Sequence, residues 1–324
     1  MSTKIEMLKL LSSFKGQYLS GQEIGESLGV TRAAVNKAAK TLKNQGYSIE
    51  TRPGQGYMLK QDLNLLSEPA ICSMTQSDCH IQVFDTIDST NDYAKTMVPD
   101  QRPMVVIADC QEKGRGRLGR SFQSPAGKGL YLSLVIKPDF PVDQALYITM
   151  ASAVATCRAI EQVTEKSPSI KWVNDLYLNN RKICGILTEA VTNFETGTTG
   201  SIITGIGINC FPAEYQDEVS LIAGPISHKS GSFSRNRLAA ALIDNLLTVY
   251  GQLESGSFME EYKNRCFVIG RTVKVTRFGN EKRTLCKVLD ITPNGGLLVQ
   301  PLEGEKKGKE LTLISGEISL EDFI

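Results

Sequence analysis

The sequence predicts an α+β protein with a mixed α/β centre, built in three parts. Three observations predict it. The first sixty residues combine helical apolar spacing with a charge balance of their own. From Ile81, strand-like runs are interrupted by a few helical stretches, the grammar of a mixed sheet with helices packed on it. Past residue 270, short strands follow one another between turns, as in a small β-barrel. The expected domains are residues 1–65, 80–270 and 271–324, with a mixed connector over 61–80 that holds Pro69 and two cysteines.

In the first part, Met7, Leu8, Leu11 and Phe14 make a helical apolar stripe. Ser20 suits the cap of a second helix that ends at Gly29, and Thr31 suits the cap of a third. Val35, Ala38, Ala39 and Leu42 line one face of that third helix, and Arg32, Asn36, Lys40 and Lys43 line the next. A hairpin pattern follows, with strands at 48–52 and 57–59 around Pro53-Gly54-Gln55-Gly56. Together these elements read as a helix-turn-helix with a wing. Residues 1–60 carry nine Lys/Arg against four Glu, a balance of +5 in a chain of net charge +1. A solvated three-helix module is the plainer reading, but the order of elements, the wing and the local charge favour DNA. Lys37, Lys40, Lys43 and Arg52 are the candidate phosphate contacts, and Thr31, Arg32 and Asn36 the candidate base contacts.

Composition excludes several classes. No apolar run is long enough to cross a bilayer, and the first residues lack the layout of a secretory signal, so a cytoplasmic protein without membrane contact is expected. Eight cysteines without a C-x-x-C pair suggest reduced thiols. His80 and His228 are the only histidines, which excludes a histidine-rich metal site and leaves little for a Ser-His-Asp triad.

In the central part, strands are expected at 81–84, 105–108, 130–136, 170–173, 176–178, 183–192 and 202–208. Helices are expected over 142–163 and from a Ser234 cap to Tyr250, and Asn179-Asn180 suits a tight hairpin turn. C-terminal strands are expected at 272–275, 286–291, 297–299 and 310–313, with turns at Gly279-Asn280, Asn294-Gly295-Gly296 and Glu303-Gly304. Neither a dinucleotide fingerprint after a strand nor a Walker-type phosphate loop is present, so any nucleotide is bound another way.

Four segments carry chemistry. Gly114-Arg115-Gly116-Arg117-Leu118-Gly119-Arg120 alternates three glycines with three arginines after a buried strand. Glycine admits close backbone approach, and arginine offers a planar fork to carboxylates and phosphates. The segment suits a loop that folds over an anionic ligand; a nucleic-acid tether fits less well, because the segment is short and set between strands. Asp88-Ser89-Thr90-Asn91 joins a strand to a helix and reads as a helix cap or a polar site. Lys171-Trp172-Val173-Asn174-Asp175 and Arg181-Lys182 flank the hairpin turn, which brings Asp175 near Lys182. Gly205-Ile206-Gly207-Ile208-Asn209 alternates small residues and leaves room for a flat ligand.

Ser89-Thr90-Asn91, Gln111, the Gly/Arg loop, Trp-x-Asn-Asp, Arg181-Lys182-x-x-Gly185-Ile186-Leu187 and Gly205-x-Gly207-x-Asn209 occur in the order found in biotin–protein ligases. With the helix-turn-helix in front, the chain resembles the bifunctional type, ligase and biotin operon repressor in one chain. One departure is visible: Val173 stands where the family usually has proline, and a small change in loop stiffness is expected. The resemblance implies a central biotin/lipoate-ligase-type sheet and a C-terminal SH3-like barrel. It implies that biotin attacks the α-phosphate of Mg-ATP to give biotinyl-5′-AMP and pyrophosphate, and that a lysine amine of biotin carboxyl carrier protein then attacks this mixed anhydride to give an amide and AMP. It assigns Ser89, Thr90, Asn91, Gln111, Arg115, Gly116, Arg117 and Lys182 to biotin. It assigns Arg117, Arg120, Asn174, Asp175, Gly207 and Asn209 to the nucleotide. Lys182, Arg117 and Asp175 become the catalytic set, with Mg²⁺ near Asp175; Trp172 packs beside the ligand or in the core. It also implies a homodimer when biotinyl-AMP is bound, two heads meeting a two-fold operator. A lipoate–protein ligase shares the fold and chemistry, but the polar Ser89-Thr90-Asn91/Gln111 set suits biotin's ureido ring. A ligand-sensing transcription factor without catalysis would not need Lys182 or the Gly/Arg loop.

Overall fold

The computed structural model describes residues 3–14, 16–44, 47–61, 65–97, 102–137, 145–192, 199–276 and 283–319. The head is built from α1 (Thr3–Ser13), α2 (Gly21–Leu28), α3 (Arg32–Asn44) and an antiparallel pair, β1 (Ser48–Arg52) with β2 (Gly56–Gln61). Ser20 Oγ accepts from the Glu23 amide at 3.1 Å, and Glu23 accepts from the Ser20 amide at 2.7 Å, a full capping box. Gly29 ends α2 in the left-handed region, and Thr31 Oγ1 caps α3 through the Ala34 amide at 3.2 Å. Met7, Leu8, Leu11, Ile24, Val35, Ala38, Ala39 and Leu42 close a core of the head's own with Ile49 and Leu59. Phe14 does not join it. It lies past the last turn of α1 and is 42% exposed, so the apolar stripe stops at Leu11.

The described part of the connector holds a short helix. Ser67 caps α4 (Glu68–Met74), and Pro69 sits in its first turn, where a missing amide hydrogen costs nothing. The central part follows as β3 (His80–Ile87), α5 (Thr90–Lys95), β4 (Met104–Gln111), β5 (Gly129–Ile136), α6 (Ala145–Thr164), β6 (Ser169–Lys171), β7 (Asp175–Leu178), β8 (Arg181–Thr192), β9 (Thr199–Asn209), α7 (Val219–Ile222), α8 (Arg235–Tyr250) and α9 (Phe258–Arg265). Its strands form a seven-stranded sheet in the order β3-β4-β5-β9-β8-β7-β6. β3 and β4 run parallel, and the other neighbours antiparallel. Asn179 and Asn180 take positive φ of 49° and 61°, the mirror-image turn that matches strand twist in a tight hairpin. Ser234 caps α8 as expected. The expected start of the long helix at Val142 lies outside the described residues.

One strand is shorter than expected. β6 stops at Lys171, and the chain turns through Trp172, Val173 and Asn174 so that Lys171 pairs with Asp175. Distant partners hold this turn. The Trp172 indole donates to Gly295 O at 3.0 Å, and the Tyr262 hydroxyl donates to Val173 O at 3.1 Å. The Trp172–Val173 peptide is cis, at the position where proline was expected.

The C-terminal strands β10 (Thr272–Thr276), β11 (Arg283–Ile291), β12 (Leu297–Pro301), β13 (Leu311–Leu313) and β14 (Glu317–Ser319) make a five-stranded antiparallel sheet in the order β13-β12-β11-β10-β14. β14 had no sequence signal, and the expected Gly279-Asn280 turn lies outside the described residues. Val273, Val288 and Leu297 share one continuous core with Ile170, Trp172 and Tyr262. No helix among the described residues is long and apolar enough to cross a membrane.

A buried ion pair ties α8 to the sheet. Arg235, 2% exposed, reaches Asp109 Oδ1 at 2.5 Å and Gly129 O at 2.8 Å. Asp109 Oδ2 accepts from the Gly127 amide at 3.1 Å, so one guanidinium joins the end of β4 to the start of β5. Arg235→Ala leaves Asp109 and the Gly129 carbonyl without that donor. Such a loss costs about 3 kcal/mol or more; equilibrium urea unfolding should show it as a lowered midpoint.

Candidate functional site

The site is built outward from α5. Ser89 Oγ caps that helix, accepting from the Asp92 amide at 3.3 Å, so the capping reading holds for this residue. Thr90 donates from its amide and its hydroxyl to Gln111 Oε1, at 2.8 and 3.0 Å. Gln111 Nε2 donates to Ser124 Oγ at 2.8 Å. The Ser133 hydroxyl faces Thr90 Oγ1 at 2.8 Å and Asn91 Oδ1 at 2.6 Å, and Asn91 Nδ2 donates to Glu189 Oε2 at 2.8 Å. Ser89, Thr90, Asn91, Ser124 and Ser133 are all buried. Each member of the set fixes the direction of the next one's donor or acceptor.

The Gly/Arg loop forms a bridged hairpin. Arg115 pairs with Ser121, and the Gly116 amide donates to Arg120 O at 2.7 Å. Gly114 is required by a close approach: a Cβ there would run into Phe122 O and Ser124 Oγ. The loop's arginines hold its two sides. Arg115 pairs with Asp92 Oδ2 at 2.9 Å, and the Arg117 guanidinium donates to Asn174 Oδ1 at 2.9 Å. Arg120 is exposed, and its amide closes the short turn onto Arg117 O at 3.2 Å.

The hairpin brings its two charges together as the sequence implied. Lys182 Nζ lies 2.7 Å from Asp175 Oδ1, with the side chains 25% and 19% exposed. Asn174 Nδ2 donates to the same Asp175 oxygen at 3.0 Å and to Ile186 O at 3.1 Å. Asn209 sits beside them and donates to Lys182 O at 3.4 Å. Its Oδ1 is buried and meets no donor among the described residues. A buried acceptor left open costs about 1–3 kcal/mol unless a donor reaches it.

The glycine stretch departs from expectation. Gly207 lies opposite Gly185 on β8 and Tyr131 on β5, and Gly205 opposite Leu187 and Ser133. The room is filled. The Asn91 side chain lies on Gly205, and the Phe122 ring lies on Gly207 and beside Gly185, where a Cβ would strike it. Trp172 belongs to the core. Phe122, Ser124, Ser133, Asp92 and Glu189 escaped sequence reasoning. For Ser133 a signal existed: a hydroxyl inside a strand that is otherwise continuously apolar.

Among the described residues, no group of three or more His, Cys, Asp or Glu converges on a metal position. Magnesium commonly takes one or two carboxylates with substrate phosphates and waters, so Asp175 fits as a single protein ligand to an ion arriving with a nucleotide. Burial pushes the Cys157 and Cys210 thiols up to about 12, which removes them as nucleophiles.

On the head, Thr31, Arg32, Asn36, Lys37 and Lys40 are exposed along α3. Lys43 donates to Thr51 Oγ1 of the wing at 2.8 Å, and Arg52 pairs with Glu50 at 2.9 Å. Lys60 and Arg52 together hold the Glu50 carboxyl down at about 2. Two of the expected phosphate contacts thus also brace the wing.

Residues 83–209 match the biotin/lipoate A/B protein ligase family, and residues 3–58 match the HTH domain family. The chain is 32% identical to the bifunctional ligase/repressor BirA of Salmonella typhimurium over 98% of this chain and 97% of that one. It is 30% identical to the protein of the same description from Bacillus subtilis, over 93% and 95%. Among solved structures, a biotin protein ligase from Aquifex aeolicus in complex with biotin and ATP matches at a TM-score of 0.62 and 26% identity, covering 74% of this chain and 97% of that one. The glycine floor makes a direct test. Gly207→Ala forces the Phe122 ring off the strand, and overpacking of this kind costs about 1–3 kcal/mol; chemical denaturation should show the loss, and a stability equal to the parent protein's would contradict the packing described.

Proposed function

Because this chain belongs to the bifunctional ligase/repressor BirA family, we propose that it activates biotin with ATP and transfers it to a lysine of biotin carboxyl carrier protein, its helix-turn-helix acting as the repressor head. The coarse activity, biotin–protein ligation joined to repression, goes with the family. The observation that carries the residue-level reading is the meeting of Lys182, Asp175, Asn174 and Arg117, with Arg117 on the loop that follows the strand carrying Gln111, the partner of Thr90.

Adenylation brings two anions together, a carboxylate and a triphosphate, so cations must be fixed before they meet. Lys182 and Arg117 take that role, and Arg115 faces the biotin side. Thr90, Asn91 and Gln111, with the Ser89 turn and Gly116, receive biotin. Arg120, Asn174, Asp175 and Asn209 receive the nucleotide, Gly207 serving as the strand backbone under the Phe122 ring and not as a contact, and the open Asn209 Oδ1 suits a donor on it. Asp175 would hold Mg²⁺, which screens phosphate charge when bound. In the second step the acceptor amine attacks the mixed anhydride's carbonyl carbon, AMP leaves, and an amide forms. Asp175 orients that amine. Water would destroy the anhydride, which is a reason for a loop across the cleft. Two adenylate-bound chains would place two heads on a two-fold operator.

Incubation with Mg-ATP, labelled biotin or lipoate, and a carrier domain separates the readings. Label should pass from biotin and not from lipoate; transfer from lipoate alone would replace the substrate. Lys182→Ala should slow pyrophosphate release by about 10²–10³-fold, the usual loss when one stabilising group of a developing charge is removed. An unchanged rate would remove Lys182 from the chemistry. For the head, Lys37→Ala or Lys40→Ala should weaken operator binding and lower the slope of log K against log salt by about 1 each. A slope equal to that of the parent protein would exclude phosphate contact by α3.

A further inference from the structure

Two cations of the wing close on one carboxylate. Glu50 and Arg52 stand at alternate positions of β1, so both project from the same face of the hairpin. Arg52 Nε lies 2.9 Å from Glu50 Oε1, and Lys60 Nζ of β2 lies 2.8 Å from Glu50 Oε2. The register shifts between Ser48 and Ile49, which sets Lys60 between paired positions. The Arg52 guanidinium also lies over the Tyr18 ring, 4.9 Å from its centre, and Lys43 of α3 donates to the intervening Thr51 at 2.8 Å. The carboxylate is the sheltered member, 20% exposed against 55% for each cation. Lys60 first, and Arg52 second, hold that carboxyl down at about 2, so it is ionised at neutral pH. The pairing takes Nε of Arg52 and a single N–H of Lys60. The guanidinium fork and the ammonium keep further donors for an outside anion.

Phosphate contacts carry no sequence information, but fixed ones set the register in which a recognition helix meets base edges. A loosely held cation serves any DNA, because counterion release asks for charge and not for geometry. A carboxylate beside the cations changes that balance. It holds two long side chains in one arrangement, and its own charge repels a backbone that does not meet them there. We propose that Glu50 sets the specificity of the wing: it positions Arg52 and Lys60 as paired phosphate contacts and penalises DNA bound in any other register. Lys60 thereby joins the DNA contacts of the head. The inference rests on the reading that the wing meets DNA.

The test uses the full-length protein with biotinyl-5′-AMP and two duplexes, one enriched by the parent protein from a random pool and one of random sequence. Fluorescence anisotropy gives the affinity for each across a salt series. Glu50→Gln keeps the shape of the side chain and removes its charge. On the random duplex it should bind about eightfold more tightly at about 0.1 M salt, the factor that one more cation contributes at a slope of about −0.9. On the enriched duplex the lost positioning should cancel that gain, so the ratio of the two affinities falls by a similar factor. Glu26→Gln makes the same charge change on α2, where the side chain meets Gln22, and should leave the ratio at the parent value. Lys60→Ala should lower the salt slope on the enriched duplex by about 1. An unchanged ratio in Glu50→Gln, or an equal fall in Glu26→Gln, would overturn the specificity role, and an unchanged slope in Lys60→Ala would overturn the new contact. If neither Arg52→Ala nor Lys60→Ala altered the slope while Lys37→Ala did, the fault would lie in placing the wing on DNA. A parent protein that enriches no duplex would remove the DNA reading itself, and this inference with it.

Discussion

Three glycines on the central sheet, Gly185, Gly205 and Gly207, let side chains lie directly on the strand backbone, and the cleft is arranged around that contact. Asn91 can reach Ser133 and Glu189 together only because nothing projects from Gly205. Phe122 lies flat on Gly207, which brings the chain leaving the Gly/Arg loop back under Gly114. Lys182 passes beside Gly185 and reaches Asp175 on the neighbouring strand. A Cβ at Gly205 or Gly207 displaces a side chain on which the next contact depends, and one at Gly185 presses on the Phe122 ring. The missing atoms are thus as specific a part of the site as the charged groups.

The cations of the cleft share one arrangement. Each is already held by an oxygen of the protein: Lys182 by Asp175, Arg117 by Asn174, Arg115 by Asp92. A positive group held in place needs little reorganisation when an anion arrives, and that is the source of its electrostatic benefit. The pairs differ in strength. Lys182 and Asp175 are both mostly buried, so solvent screens them little, while Arg115 stands largely in water. Stiffness therefore grades across the cleft, from the hairpin that handles phosphate to the loop that must admit a ligand.

Local signals were readable and distant ones were not. The caps at Ser20, Thr31 and Ser234, the Gly29 stop and the Asn179-Asn180 turn depend on neighbours within four residues, and each stands where the pattern put it. The Lys182–Asp175 pair was legible for the same reason, since a tight hairpin sets its register. The turn at Trp172–Asn174 is set by Gly295 and Tyr262, and nothing near it in sequence names those partners. Glu189 is 98 residues from Asn91, and its role needs the sheet order before it can be seen. The glycine alternation was read as space because a pattern shows which side chain is absent, not which neighbour moves in.

The connector and the root of the Gly/Arg loop meet on α8. Arg235 and Asn236 are its first two residues, and successive positions on a helix point about 100° apart, so they serve different partners. Arg235 grips Asp109 and Gly129, the roots of the segment that contains the Gly/Arg loop. Asn236 accepts from the Ser67 amide at 2.9 Å and donates to Leu65 O at 2.8 Å, satisfying backbone groups of the connector that would otherwise be buried without partners. Asp244, further along the same helix, accepts from Thr75, Gln76 and Ser77 at the far end of α4. α4 is thereby clamped at both ends, and α1 of the head packs against it. The connector is a short helix docked on the ligase core, not a free tether. The helix that grips the root of the Gly/Arg loop is therefore the same one that carries the platform on which α1 packs.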